Sequence, residues 1–288
     1  MSSTLQALKI SPVTPSFGAR VDGLNGREPL DEDVAGELKR AILEYKVLFL
    51  TGQHLNEAEH ARLAAHFGAP YQGSNRFDQE YEQTGLSDIE VVAHFHSDFM
   101  YKEEQPAYAM LQMLELPSVG GDTAWADLAA SYDALSEPVK TLLEGLSAYH
   151  AHPDYYAGDE ERSRRYEKSF GRPLTAGELA EQKKQYAPRL HPVVRRLPET
   201  GRKHYWVSAQ HTTRIAGVSK DESDAILGLI FKQQLKPEFV LRWHWTIGDI
   251  AFWDHRATLH AGISDYDRSE SRRGRRANIG SATPIPAA

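Results

Sequence analysis

Apolar and polar positions change period several times along the chain, and each change predicts an element. From Phe239 to Trp245 the alternation is strict: Phe239, Leu241, Trp243 and Trp245 face one way, and Val240, Arg242 and His244 face the other, as in a strand. After Asp31 the period lengthens, and Val34, Leu38, Ala41, Ile42 and Tyr45 fall at helical spacing behind acids suited to a first turn. Val47 to Leu50 is a short apolar run closed by Thr51-Gly52, which predicts a buried strand. A second helix starts near Asn56 as N-cap and ends at Gly68, with Pro70 beyond it. Ser136 caps a third, whose Val139, Leu142, Leu143 and Leu146 make an apolar face; another runs from about Asp221 to Leu235.

Further strands are expected over Ile89 to Asp98, Ala107 to Leu116, 190–196, 203–208, Ile250 to Trp253 and Arg272 to Ile279. Leu8 to Asp22 predicts short extended pieces, 71–88 a long loop, and 152–188 a charged, partly helical surface insertion. Strands dominate both halves, and helices gather near the N-terminus and in connections. The expected class is mainly β with peripheral helices (α+β), built on a sandwich or jelly-roll core. The chain's 288 residues suit one domain of that kind, 1–288, carrying the charged insertion.

Composition narrows the chemistry. A formal charge of −7 argues against a nucleic-acid partner, and no apolar run approaches the roughly 20 residues that span a bilayer. With no cysteine, disulfides, zinc–thiolate centres, Fe–S clusters and thiol catalysis are excluded, so a metal would be held by imidazole and carboxylate. The N-terminal segment lacks the features of a signal peptide, and the reading is a cytoplasmic globular protein.

On a strand, residues i and i+2 share a face, so His96-Ser97-Asp98 presents an imidazole beside a carboxylate. A second imidazole from elsewhere would complete the two-histidine, one-carboxylate triad of non-haem iron(II) oxygenases, which leaves three positions open. With 13 histidines the motif alone is weak, and it recurs at His152-Pro153-Asp154, where an intervening proline and the charged surroundings indicate a loop.

Other blocks agree with the first copy: Gly120-Gly121-Asp122-Thr123, Leu190-His191-Pro192-Val193-Val194, Thr212-Thr213-Arg214-Ile215, and Trp253-Asp254 leading to His260 and an arginine cluster. In this order they resemble the taurine dioxygenase (TauD/TfdA) family of Fe(II)- and 2-oxoglutarate-dependent oxygenases, nearly end to end. The resemblance implies a double-stranded β-helix, a cupin-like jelly roll with iron at its open end. It implies His96, Asp98 and His260 as ligands, Thr123 and Arg272 on the distal carboxylate of 2-oxoglutarate, and Arg276 near the iron-bound end and the prime substrate. Asp98 sets the chain apart from halogenating relatives, which carry a small residue there. Arg272 falls one residue later than the family spacing, so Arg273 stands as its alternative, with a bulge to decide between them. Independently of the likeness, a buried dianion needs a bidentate cationic partner, which arginine supplies best. By period two, Arg272, Gly274 and Arg276 share one strand face and Arg273 and Arg275 the other.

The implied reaction consumes 2-oxoglutarate and O2, releases succinate and CO2, and hydroxylates an unactivated C–H bond, with fragmentation where the carbon bears a heteroatom. Tyr71, Asn75, His94 and His211 are candidate substrate residues by position, and Arg276 favours a small anionic substrate. His211 replaces an expected phenylalanine, and His152, Tyr155 and Tyr156 stand where another would lie, which speaks against taurine itself. His255 is expected behind the ligands or at the surface, and Trp243, Trp245 and Trp253 in the core. A metallohydrolase using the same triad, or a non-catalytic cupin-like metabolite sensor, would have the same ligands. Only a hydrolase would have no use for Thr123 and Arg272. Relatives are commonly dimers or tetramers, so a homo-oligomer is compatible with this reading.

Overall fold

The helical period after Asp31 becomes α1 (Glu32–Tyr45), which buries Ala35, Leu38, Ala41 and Ile42. Asn56 caps α2 (Glu57–Ala65) with a reciprocal capping box through Glu59, satisfying two of the orphan donors of a helix start. The computed structural model describes residues 8–72, 78–82, 94–267, 269–283 and 285–287. Asn75 and residues 89–93 of the expected strand lie outside them.

The extended segments assemble into two facing sheets. The larger contains β1 (Lys9–Pro12), β2 (Ala19–Asp22), β3 (Val47–Leu50), β4 (Asp78–Glu82), β5 (Tyr108–Glu115), β13 (Ile250–Asp254) and β15 (Arg273–Ile279). Their order is β1-β2-β3-β13-β5-β15-β4, antiparallel except where β2 lies beside β3. Facing it, β6 (Thr123–Asp127) runs between β12 (Val240–Trp243) and β14 (Thr258–Gly262). Smaller sheets join β7 (Ser147–His150) to β8 (Arg189–Pro192) and β11 (Thr212–Ile215), and pair β9 (Val194–Arg196) with β10 (Lys203–Tyr205).

Between the two main sheets lies an aromatic layer of Phe17, Phe49, Trp125, Leu241, Trp245 and Trp253. Phe49 stacks on Trp243 with centroids 3.9 Å apart and meets Trp125 edge-on at 5.4 Å. Burying one such side chain contributes about 1.5–3 kcal/mol, so this layer is a principal source of cohesion. Outside the larger sheet, α1 and α2 cover Leu48, Leu50 and Phe252. Outside the smaller one, α7 (Lys220–Gln234) and α3 (Leu128–Asp133) cover Ala126 and Leu259. Sheet on sheet with helices outside is the jelly-roll arrangement expected, and α5 (Asp159–Phe170) and α6 (Ala176–Tyr186) form the helical part of the charged insertion.

Three expectations need correction. The 71–88 loop contains a strand, β4, which pairs with β15. The strand expected to reach Asp98 breaks early: His96 makes an isolated bridge, and a turn begins at Asp98, with Phe99 at positive φ. The third is omission, since β6, β7, β11, β14 and α3 carried no sequence signal that we read. β6 and β14 are buried along nearly all of their length, on both faces, so they show no alternation.

Candidate metal and cosubstrate site

His96 and His260, more than half the chain apart, sit directly opposite each other in an antiparallel bridge. Each backbone N–H donates to the other's carbonyl, at 3.0 and 2.7 Å, so the imidazoles project side by side with centroids 4.4 Å apart. Asp98 follows on the turn. Its Oδ1 lies 3.4 Å from His96 Nε2 and 3.8 Å from His260 Nε2. One ligand atom from each residue lies within 4.8 Å of the others. Donors held at about 2.1 Å from one metal are about 3 Å apart when cis, so these separations suit a facial set.

His96 Nδ1 donates to the His94 carbonyl at 2.7 Å, which leaves the lone pair on Nε2, toward Asp98. Burial pushes His96 down to about 4, and pushes His260 well below the usual imidazole value, with His96 and His255 adding to the effect. Both rings are therefore neutral near pH 7, the form that ligates.

Asp98 is steered from behind. Its Oδ2 pairs with Arg276 and lies 3.4 Å from Nε2 of the fully buried His255. The same His255 nitrogen meets Asn278 Oδ1 at 3.2 Å, and the Ser97 hydroxyl lies 3.2 Å from Nδ1. With two acceptors at Nε2, the proton belongs there. This leaves Asp98 Oδ1 turned to the histidines. Burial holds His255 at about 4, so it stands against Asp98 Oδ2 as a neutral ring whose Nε2 is held by Asn278.

His96 and His260 line a cavity of about 200 Å³, which Thr123 and Arg272 line as well. Arg272 is 1% exposed; its Nε donates to the Gly121 carbonyl at 2.6 Å and its Nη2 to Thr123 Oγ1 at 3.0 Å. Trp245 Nε1 donates to the same oxygen at 3.0 Å. With both lone pairs engaged, the Thr123 hydroxyl is left to donate, as a carboxylate beside Arg272 requires. Gly121 has φ +75, and a Cβ there would meet Pro117 Cγ at 2.8 Å and Arg272 Cδ at 3.3 Å, so glycine permits the close approach.

The β5–β15 ladder shifts register between Arg273 and Gly274, and there the two arginines part. Arg273 turns outward and pairs with Glu115, while Arg272, Gly274 and Arg276 face inward. A Cβ on Gly274 would lie 2.7 Å from Leu111 Cδ1 and 3.1 Å from the Gln112 carbonyl, so a side chain there would have to displace Leu111 between the two inward arginines.

Among the remaining candidates, His94 lines the cavity. His211 is buried, held at about 3 by burial, and its ring centroid lies 6.0 Å from that of His96. Tyr71 donates to the Glu104 carbonyl at 2.7 Å and lines a neighbouring cavity of about 590 Å³ with Lys102 and Arg189. Burial pushes Tyr71 up to about 12. Asn75 lies outside the described residues. Sequence reasoning missed Trp253, which packs 5.0 Å from His260 and lies under Arg276 at 5.7 Å, and missed Ser97, Asn278 and Tyr101. The inward parity of Trp253 was readable; its position beside a ligand was not.

Comparison with known proteins agrees with this geometry. The sequence profile described as "Taurine catabolism dioxygenase TauD, TfdA family" matches residues 9–278. An alkylsulfatase of Acinetobacter baylyi is 29% identical over 272 residues, spanning 91% of this chain and 81% of that protein. An alpha-ketoglutarate-dependent 2,4-dichlorophenoxyacetate dioxygenase of Cupriavidus pinatubonensis is 30% identical over 293 residues, spanning 93% and 96%. The crystal structure of a taurine dioxygenase from Burkholderia xenovorans superposes with a TM-score of 0.80 at 27% identity, covering 97% of this chain and 93% of that one.

Proposed function

Because the chain belongs to the TauD, TfdA family and is an Fe(II)- and 2-oxoglutarate-dependent dioxygenase, we propose that His96, Asp98 and His260 hold its iron and that Arg272 and Thr123 hold the distal carboxylate of 2-oxoglutarate. The observation that carries this reading is that His96 and His260, with Asp98 beside them, share one cavity with a buried arginine–threonine pair. A metallohydrolase would use the first group and have no need of the second.

Bound iron, with 2-oxoglutarate and O2, supplies the oxidation: the cosubstrate becomes succinate and CO2, and one oxygen atom enters a substrate C–H bond. The chain supplies position. His255 and Arg276 fix Asp98, the bridge between His96 and His260 fixes the two rings, and Arg272 sets the depth of the cosubstrate. Trp253, Leu111 and the aromatic layer behind them keep the cavity dry, which strengthens the charge pairing at Arg272.

The substrate is proposed to be a small organic anion, such as a sulfate ester or an aryloxy carboxylate, in line with the relatives' named activities. Arg276 lies next to the ligands as its cationic neighbour, with Tyr71, His94 and His211 as further candidates to meet it; Asn75 stays a candidate by its sequence position alone. His211 is neutral and continues into Tyr101, His152 and Tyr186, a wall suited to the apolar portion of such a molecule. We further propose one domain spanning 1–288, in the cytoplasm, in keeping with a chain without cysteine.

The test is an anaerobic titration of metal-free protein with Fe(II) and 2-oxoglutarate, followed by the visible charge-transfer band of the chelate, in wild type and His96→Ala. A band lost in the variant supports the assignment. Folded wild type that binds metal without a band would overturn it.

A further inference from the structure

A second buried arginine, away from the metal, has half of its hydrogen-bonding edge unpartnered. Arg195 lies on β9, 4% exposed, directly opposite His204 of β10, so the two side chains share a face. Its guanidinium lies over the Trp206 ring at 4.0 Å, and its Nη1 donates to Gln105 Oε1 at 3.0 Å. Nε and Nη2 are buried and make no hydrogen bond. No carboxylate pairs with Arg195 among the described residues, and burial is the cause that acts on its charge.

The indole beneath the ring favours the cation but cannot accept from N–H groups lying in the guanidinium plane. In arginine Nε and Nη2 share one edge, the fork that receives both oxygens of a carboxylate. That residue lines a pocket of about 320 Å³ with Gln105, Arg196, His204, Arg256 and Ile285, none of which lines the metal cavity. The one acid lining it, Glu199, is taken by Arg256 at 2.6 Å, and Arg256 also pairs with Asp254. His204 Nδ1 is engaged with the Tyr205 carbonyl at 2.8 Å, and burial holds the ring neutral. A buried cationic fork beside a neutral imidazole suits the planar head group of a carboxylate.

We propose that this pocket binds a small carboxylate on the Nε–Nη2 edge of Arg195, at a site separate from the metal centre. The site is wired to the turn that carries Asp98. The Gln105 amide that holds Nη1 also donates to the Lys102 carbonyl, and Trp206 Nε1 donates to the Met100 carbonyl at 3.4 Å. A carboxylate on Arg195 therefore steadies the 98–105 segment.

The experiment is hydrogen exchange on the full chain titrated with acetate, against sodium chloride at equal ionic strength. Saturable protection over 100–105 and 194–206 is expected with acetate alone, together with a rise in Tm on the order of 5 °C at a hundred times Kd. Arg195→Met removes both effects. Should that variant fail to fold, Ile285→Trp, which places an indole at the pocket rim and keeps Arg195, removes them instead. Equal protection in chloride and acetate overturns the proposal, as does protection confined to 121–125 and 272–276, which would put every bound carboxylate in the metal cavity. Acetate protection that survives Ile285→Trp also overturns it.

Discussion

The chain carries the same three-residue pattern twice, and the two copies have opposite fates. His96-Ser97-Asp98 sits where His260 pairs across an antiparallel bridge, and its ring keeps a lone pair on Nε2 because Nδ1 is committed to the His94 carbonyl. His152-Pro153-Asp154 starts a 3-10 turn. There His152 uses Nδ1 to accept from the Asp154 N–H at 3.1 Å, and its ring stacks on Tyr186 at 3.9 Å. Asp154 pairs with Arg165 at 2.6 Å. The second copy spends its ligating atoms on local structure and has no third donor among the described residues. Spacing offers a ligand pair; a partner strand and a committed second nitrogen make it a site.

The sharpest break between the copies is substitution. His96→Ala or Asp98→Ala should weaken Fe(II) binding by at least ~100-fold and abolish succinate formation, whereas His152→Ala should leave the Fe(II) dissociation constant within about two-fold. Metal titration by calorimetry under anaerobic conditions measures both. A comparable loss at His152 would mean that the second copy takes part in the site.

The two adjacent arginines repeat the contrast at the same cavity. Arg272→Met should raise the 2-oxoglutarate KM between about 30-fold and a few thousand-fold, because it removes one partner of a buried charge pair. Arg273→Met breaks a partly exposed ion pair with Glu115 on the outward side, so it should leave KM unchanged and shift stability by about 1 kcal/mol or less. Equal effects of the two would refute the inward assignment of Arg272.

His255 distinguishes a supported ligand set from a bare one. His255→Phe should lower Fe(II) affinity by about 10–100-fold and displace the charge-transfer band of the chelate, while the variant stays folded. An unshifted band would reduce His255 to a packing role.

The smallest effect concerns the insertion that holds the second copy. Glu178 closes the capping box of α6 and pairs with Arg172, whose hydrogen bond, with those from Thr175, holds the carboxyl at about 2. The folded value lies below the ordinary carboxylate value of 4.5, so this support is complete above that pH and is lost as pH falls toward 2. Amide protection in α6 should fall across that window in wild type and lose this step in Glu178→Gln. Protection across the metal site should be insensitive to the substitution.

Much of the frame was legible because the signals were local. Asn56 and Ser136 ahead of their helices, and the alternation through Leu241, each announce an element within a few residues. What failed to show was non-local or lacked alternation. β6 and β14 are buried alanine-containing strands between sheets and helices. The paired segment at β4 is polar and takes its structure from β15.

For the site, the strand spacing nominated His96 and Asp98, and the resemblance of the ordered blocks to the TauD, TfdA family nominated His260, Thr123 and Arg276. The choice between Arg272 and Arg273 was not legible, because it depends on a register shift between β5 and β15. Nor could the sequence choose for His255 between the place behind Asp98 and the surface, or show how His96 and His260 face each other. Those outcomes rest on hydrogen bonds between strands far apart in the chain, and only the packed sheets decide which of them form.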